Sequence, residues 1–313
     1  MTEVAGKDGD GIVTVYYPST SEPQTLKRGP FTFQLAWQGA PARGNGRLIV
    51  ISHGSGGSPW VHADLARTLV EQGFVVAMPE HRGDNYKDPS TPGPVSWQRR
   101  PAEVSRAIDV VGQDPRFGPL LALDRVGMYG MSAGGHTALS LAGGRWSPAR
   151  FKEHCAAHIA EDFQTCVGLA TRLNSGLLDG PKKTLALWVH RYRFGDATWR
   201  THSDPRIAAV PFAADFDMAS LAAPPVPLGL VTARKDTWLV PRFHSDRVLQ
   251  ACATCERLAD VANGGHGALL SPLPLGLSGL VGDLLNDPPG FDRAELPAAD
   301  RKIAAFLGKH LLP

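Results

Sequence analysis

The sequence predicts an α/β protein, with a mainly parallel central sheet flanked by helices in a single domain over residues 1–313. Three observations predict it. Short continuous apolar runs, RLIVISH at 47–53 and FVVAMP at 74–79, have the pattern of strands buried on both faces. Helical patterns alternate with these runs, which requires crossover connections and therefore parallel pairing. One G-x-S-x-G, at 130–134, falls where such a strand meets a helix.

Residues 11–17 and 31–37 alternate with β-branched and aromatic side chains and read as strands at a sheet edge. After the strand at 47–53, residues 61–72 place Leu65, Leu69 and Val70 on one helical face and stop at Gly73, a left-handed terminator. The strand at 74–79 follows, and then a helix over 98–112 with Ala102, Val104, Ile108 and Val111 inward. Residues 125–129 are a short strand and 133–141 a helix of small residues. Later strands are expected at 207–212, 226–232 and 257–261, with a C-terminal helix at 299–311. Residues 144–203 break this alternation, because the connection is longer than an αβ loop needs. An insertion there lies over the carboxyl ends of the strands, the position of a cap or lid that carries Trp146, Cys155, Cys166, Trp188, His190 and Trp199.

Composition removes several function classes. A chain of 313 residues with 43% hydrophobic and 20% charged residues is too apolar for a disordered polymer and long enough to build one large core. Lys+Arg 32 against Asp+Glu 30 leaves +2 with no basic run, so no nucleic-acid partner is expected. The longest uncharged apolar stretch, 268–282, is interrupted by Pro272, Pro274 and three glycines, so no membrane span is expected either. Residues 1–8 lack the basic and apolar regions of a signal peptide. A cytoplasmic location is therefore the expectation, with export the alternative if a leader precedes residue 1. Four cysteines are few for this length, and reduced thiols are expected, with local Cys155/Cys166 and Cys252/Cys255 bridges as the alternative. The C-x-x-C at 252–255 has no second pair or nearby histidines, so no metal site is expected.

The chemistry centres on Ser132. A serine in a tight strand-to-helix turn has a strained backbone and a projecting hydroxyl, which makes it a nucleophile once a base accepts its proton. Eleven histidines compete for that role. His266 is favoured, since its loop ANGGHG follows the last expected strand, at the carboxyl end of the sheet and after the serine in chain order. His136 is one turn beyond Ser132 and aimed away, His53 braces the glycine loop, and His81 could reach the cleft. His62, His154, His158, His190, His202, His244 and His310 read as surface or cap positions. Asp236, directly after a buried strand, is the residue to orient the imidazole, with Asp215 and Asp217 as runners-up. Backbone N–H groups of Ala133 and Ser55 are the expected oxyanion donors, the latter in the loop HGSGGS at 53–58. That loop lacks the register of a phosphate cradle. Gly54, Met131 and Trp60 are candidate substrate contacts, Arg82 and Tyr86 could face the cleft, and the run 268–285 could line an acyl or alcohol site.

These residues carry a resemblance. SHGSGG at 52–57, FVVAMPEHRGDN at 74–85, GMSAGG at 130–135 and GGH at 264–266 resemble an α/β-hydrolase, nearest the dienelactone hydrolase and platelet-activating-factor acetylhydrolase-like group. The likeness spans about residues 11–310 and is weakest over 144–203. It implies a serine hydrolase that cleaves carboxylic esters of small molecules through an acyl-enzyme, without metal or organic cofactor. Dienelactone hydrolases hold cysteine where this chain has Ser132, so simple carboxylic esters are the expected substrates. The same triad serves thioesterases, lactonases and acyltransferases, and a non-catalytic binding protein on this fold is the remaining alternative.

Overall fold

The computed structural model describes residues 1–209, 216–274 and 276–313. Strands β1 (Thr2–Val4) and β2 (Val13–Tyr16) come first, followed by a separate antiparallel hairpin of β3 (Gln24–Arg28) and β4 (Phe31–Leu35). The core then alternates: β5 (Leu48–Ser52), α1 (Ala63–Glu71), β6 (Val75–Pro79), α2 (Pro94–Gln113), β7 (Val126–Gly130) and α3 (Ala133–Leu141). Three further helices, α4 (Pro148–His158), α5 (Phe163–Val167) and α6 (Asp179–Arg193), lead to β8 (Ile207–Ala209). The chain closes with β9 (Gly229–Ala233), α7 (Ser245–Ala251), β10 (Glu256–Val261), α8 (Gly279–Leu285) and α9 (Leu296–Leu311).

The central sheet has the order β1-β2-β6-β5-β7-β8, with β6, β5, β7 and β8 parallel. β2 pairs antiparallel with both β1 and β6, so the 11–17 strand sits one place inside the edge. The 31–37 strand belongs to the hairpin and not to the central sheet. β9 and β10 pair parallel with each other, Gly229 opposite Glu256. β9 starts three residues later than expected, because Pro225 and Pro227 have no N–H for a ladder. The far end of the strand expected at 207–212, and Asp215, lie outside the described residues.

Period-two alternation sorts the side chains of the parallel strands onto two cores. Leu48 and Val50 face Val104, Ile108 and Leu139 of α2 and α3, while Ile49 and Ile51 face Leu65 and Leu69 of α1 and Ile303 and Leu307 of α9. Every residue of β5, β6 and β7 is buried, as a sheet covered on both sides requires. α1 ends as expected at Gly73, whose φ of 88° suits a residue without Cβ. No helix among the described residues is long and apolar enough to cross a membrane.

The insertion is helical and has its own small core of Phe151, Cys155 and Cys166, against which Trp97 and Phe194 pack. All four cysteines are paired, Cys155 with Cys166 and Cys252 with Cys255, which corrects the expectation of reduced thiols. The physical reason is proximity: α4 and α5 are joined by a tight turn that brings the Cys155 and Cys166 Cα atoms to 5.7 Å, within disulfide reach.

Candidate active site

The turn between β7 and α3 is built around two glycines. A Cβ on Gly130 would stand 2.1 Å from the Gly134 carbonyl oxygen, and one on Gly134 would stand 1.9 Å from the Ser52 carbonyl oxygen. Only glycine lets the helix start this close to β5 and β7. The strain collects on Ser132, a non-glycine residue at φ 55°, ψ −122°. That conformation costs about 1–3 kcal/mol and lifts the hydroxyl clear of the strand.

Two other loops converge on it. His266 Nε2 lies 3.2 Å from Ser132 Oγ, and His266 Nδ1 lies 2.9 Å from Asp236 Oδ2. The other carboxylate oxygen of Asp236 accepts the N–H groups of Trp238 and Leu239, each at 2.8 Å, which locks the side chain in place. The two loops are tied together as well, since the Lys235 N–H donates to Gly264 O at 2.9 Å. A Cβ on Gly267 would meet Leu285 O at 2.3 Å, so the histidine loop packs directly on the end of α8. The structure therefore brings Ser132, Asp236 and His266 together. Asp217 is elsewhere, capping the short 218–221 turn and pairing with Arg145.

Ala133 follows the nucleophile at the start of α3, and Ser55 follows Gly54 in the glycine loop. Gly54 packs against the nucleophile, with an ideal Cβ only 3.3 Å from both Ser132 Cβ and Met131 Sδ. Among the described residues no protein acceptor takes the N–H of Ser55 or Ala133. The adjoining cavity is lined by Met131, Val231, Leu239, Pro241, Ser245 and Leu269, among others. Of the apolar run 268–285, Leu269 lines this cavity, whereas Ala268 and Leu270 are buried in the core. Trp60 is not part of that lining. It packs between Phe31 and Tyr86, at ring distances of 6.2 and 5.3 Å. Arg82 is not part of that lining either, and its guanidinium reaches the Gly9 turn.

Several histidines are placed differently from their sequence reading. His81 is fully buried and does not reach the cleft. Its Nε2 meets Ser52 Oγ at 2.7 Å and its Nδ1 meets Glu103 Oε2 at 2.7 Å, beneath the Ser55 loop. Burial, and then the Arg100 and Arg99 charges, hold this imidazole well below its ordinary pKa, so it is neutral. His53 does brace the loop, with Nδ1 on Gly54 O at 2.7 Å. His136 is aimed away from Ser132 into a cluster of Trp97, Trp146 and Phe216, where burial pushes its pKa down to about 3. His62 is buried rather than on the surface, and His190 is buried within the insertion.

His154 and His244 form a clamp that no sequence signal announced. Both place Nε2 against Asp162 Oδ2, at 2.7 and 2.8 Å, while Thr165 Oγ1 bridges Asp162 Oδ1 and Trp238 O at 2.8 and 2.5 Å. Burial pushes the Asp162 carboxyl up, but the hydrogen bonds from His154, His244 and Thr165 outweigh it and hold it well below the usual range. The three ligand-type atoms of His154, Asp162 and His244 lie within 4.8 Å of one another, and these hydrogen bonds account for all three. The clamp joins the insertion to the loop that carries Asp236.

No family model and no curated protein matches the chain. Among solved structures it is similar to a ferulic acid esterase from Streptomyces cinnamoneus, with 16% identity, 96% of this chain and 82% of that chain covered, and a TM-score of 0.56. The chain has the α/β-hydrolase fold. At that identity the likeness concerns architecture. It agrees with the mainly parallel central sheet flanked by helices.

Proposed function

We propose that this chain is a serine esterase that hydrolyses small carboxylic esters with short to medium acyl or alcohol groups. The observation that carries the reading is the hydrogen-bonded series Ser132, His266, Asp236 on a strained turn beside a mostly apolar cavity. In this reading Ser132 Oγ attacks the ester carbonyl as its proton passes to His266 Nε2, and Asp236 stabilises the resulting imidazolium through Nδ1. The N–H groups of Ala133 and Ser55 receive the developing oxyanion. His266 then protonates the departing alkoxide, leaving an acyl-enzyme. Water, deprotonated by the same imidazole, attacks that acyl group, and Ser132 recovers its proton as the acid leaves.

The likeness to a ferulic acid esterase supports ester cleavage as the reaction class. The four stretches at 52–57, 74–85, 130–135 and 264–266 further support a place near the dienelactone hydrolase and platelet-activating-factor acetylhydrolase-like group. The insertion acts as a cap in this reading, anchored to the Asp236 loop through Thr165 and Asp162. The paired cysteines favour an oxidising compartment over a cytoplasmic one. The test is hydrolysis of p-nitrophenyl esters from acetate to longer chains by the wild type and Ser132→Ala. Turnover of short and medium chains that disappears in the variant supports the reading, and turnover retained by Ser132→Ala refutes it.

A further inference from the structure

The loop carrying Ser55 is gripped from behind by a buried ion pair. Arg100, on α2, is fully buried, and its Nη1 donates to His53 O at 2.6 Å while its Nη2 donates to Gly54 O at 3.4 Å. The same Nη2 donates to Asp84 Oδ2 at 2.8 Å and to Asp84 O at 3.2 Å, and Nε donates to Ser96 Oγ at 2.8 Å. Asp84 is also fully buried. Its Oδ2 accepts the Ser96 hydroxyl at 2.6 Å, and its Oδ1 accepts the Ser55 hydroxyl at 2.5 Å and the Gly56 N–H at 3.1 Å. Arg100 and Asp84 thus hold residues 53–56 through both main chain and side chain, yet neither touches Ser132, Asp236 or His266.

A buried ion pair is a poor source of stability, since desolvation offsets most of the Coulomb attraction. It is a good source of fixed geometry. In a planar trans peptide the carbonyl and the N–H point in opposite directions. The His53 carbonyl is turned to the guanidinium, and the Gly54 carbonyl, within its outer reach, is held more closely by His53 Nδ1 at 2.7 Å and the Gly57 N–H at 3.0 Å, so the N–H groups of Gly54 and Ser55 point away from these donors. Gly54 packs on Ser132, so the nucleophile lies on the loop's other contact face. The buried guanidinium charge also stands at the oxygen end of these two peptides, nearest the His53 carbonyl. There it polarises them and strengthens their N–H groups as donors.

We propose that Arg100 and Asp84 are positioning residues for oxyanion stabilisation, aiming and polarising the Gly54–Ser55 peptide at the ester carbonyl held by Ser132. The inference rests on the serine esterase reading, and its test separates the two. The neutral, hydrogen-bonding double variant Arg100→Gln/Asp84→Asn is compared with Arg100→Lys, Ser55→Ala and Ser132→Ala. The readouts are kcat and KM on p-nitrophenyl acetate, the inhibition constant of a phenylboronic acid that forms a tetrahedral serine adduct, and the melting temperature.

The double variant is expected to lose about tenfold or more in kcat, a fraction of the ~10²–10³ that removal of a whole oxyanion donor costs. KM should stay within about twofold, and boronate affinity should fall in step with kcat, because only tetrahedral species use the oxyanion donors. Arg100→Lys, which keeps the charge, should recover part of the loss. A lower melting temperature with kcat per folded molecule unchanged overturns the inference, as does a boronate affinity that does not follow kcat. If the double variant does not fold, Ser55→Ala decides, since the side chain is exposed and its N–H is retained. A kcat lowered at unchanged melting temperature supports positioning, and an unchanged kcat overturns it. Turnover surviving in Ser132→Ala refutes the esterase reading and this inference with it, whereas an inactive Ser132→Ala beside full-rate Arg100 variants refutes the inference alone.

Discussion

Replacing Asp300 with asparagine should stabilise the protein at neutral pH. Asp300 lies on α9 with 8% of its surface exposed. Burial, and then the neighbouring Asp64 carboxylate, push its pKa from 3.8 up to about 6, against a smaller pull from Arg67 and Arg301. The native chain therefore keeps this proton between about pH 4 and pH 6 while the unfolded chain releases it. Unfolding free energy falls with rising pH wherever the native state binds more protons, and above the folded pKa the penalty is complete. A shift of ~2 units at ~1.4 kcal/mol each makes that penalty about 3 kcal/mol. Urea unfolding of the wild type and Asp300→Asn at pH 4, 5, 6, 7 and 8 measures it. The difference in unfolding free energy should be near zero at pH 4 and grow to about 3 kcal/mol in favour of the variant by pH 7. A variant less stable at pH 7, or a difference that does not change with pH, would refute this reasoning.

Three further outcomes follow from the same contacts. Asp162→Ala strands buried imidazoles on the clamp and should cost about 3–5 kcal/mol in denaturant unfolding, with a lower kcat because the Asp236 loop loses its anchor. The wild-type Asp162 contribution, from a carboxyl held below its ordinary value, is present above that value and is lost on acidification, so the variant's stability should be the flatter of the two below about pH 4. Removing the Cys155–Cys166 bridge, with its sequence separation of 11, should cost about 3 kcal/mol by loop entropy, and removing Cys252–Cys255, separation 3, roughly half of that. Calorimetry of the two double-serine variants checks the ranking. Asp236→Asn keeps an acceptor for the Trp238 and Leu239 N–H groups but misorients the imidazole, so kcat should fall by about 10⁴ while the fold, read by circular dichroism, persists.

What the chain makes legible is local. The strands at 47–53 and 74–79 announce burial on both faces by composition alone, and the serine turn by its glycines. Asp236 and His266 follow from the chain order that a parallel sheet imposes on loops at one end. Pairings across the fold leave no such trace. The hairpin at 24–35 has the same alternation as a sheet-edge strand, and only its partner distinguishes the two. His154 and His244 look like surface residues because nothing in their local pattern mentions Asp162, which meets His244 across 82 positions. The Cys155–Cys166 bridge was similarly open, since spacing permits it without requiring it. Arg100 shows the same limit from another direction. In a helix rich in charges it reads as solvated, yet it is fully buried because α2 carries it under the Ser55 loop.

Covalent labelling tests most directly whether Ser132 is a nucleophile activated by His266. The protein is treated with a fluorophosphonate, and the modified residue is mapped by peptide mass spectrometry, with labelling rates compared for the wild type and His266→Ala. One label per chain, on Ser132, formed at least ~10³-fold more slowly in the variant, is the predicted result. A label on another residue, no label, or an equal rate without His266 would contradict it.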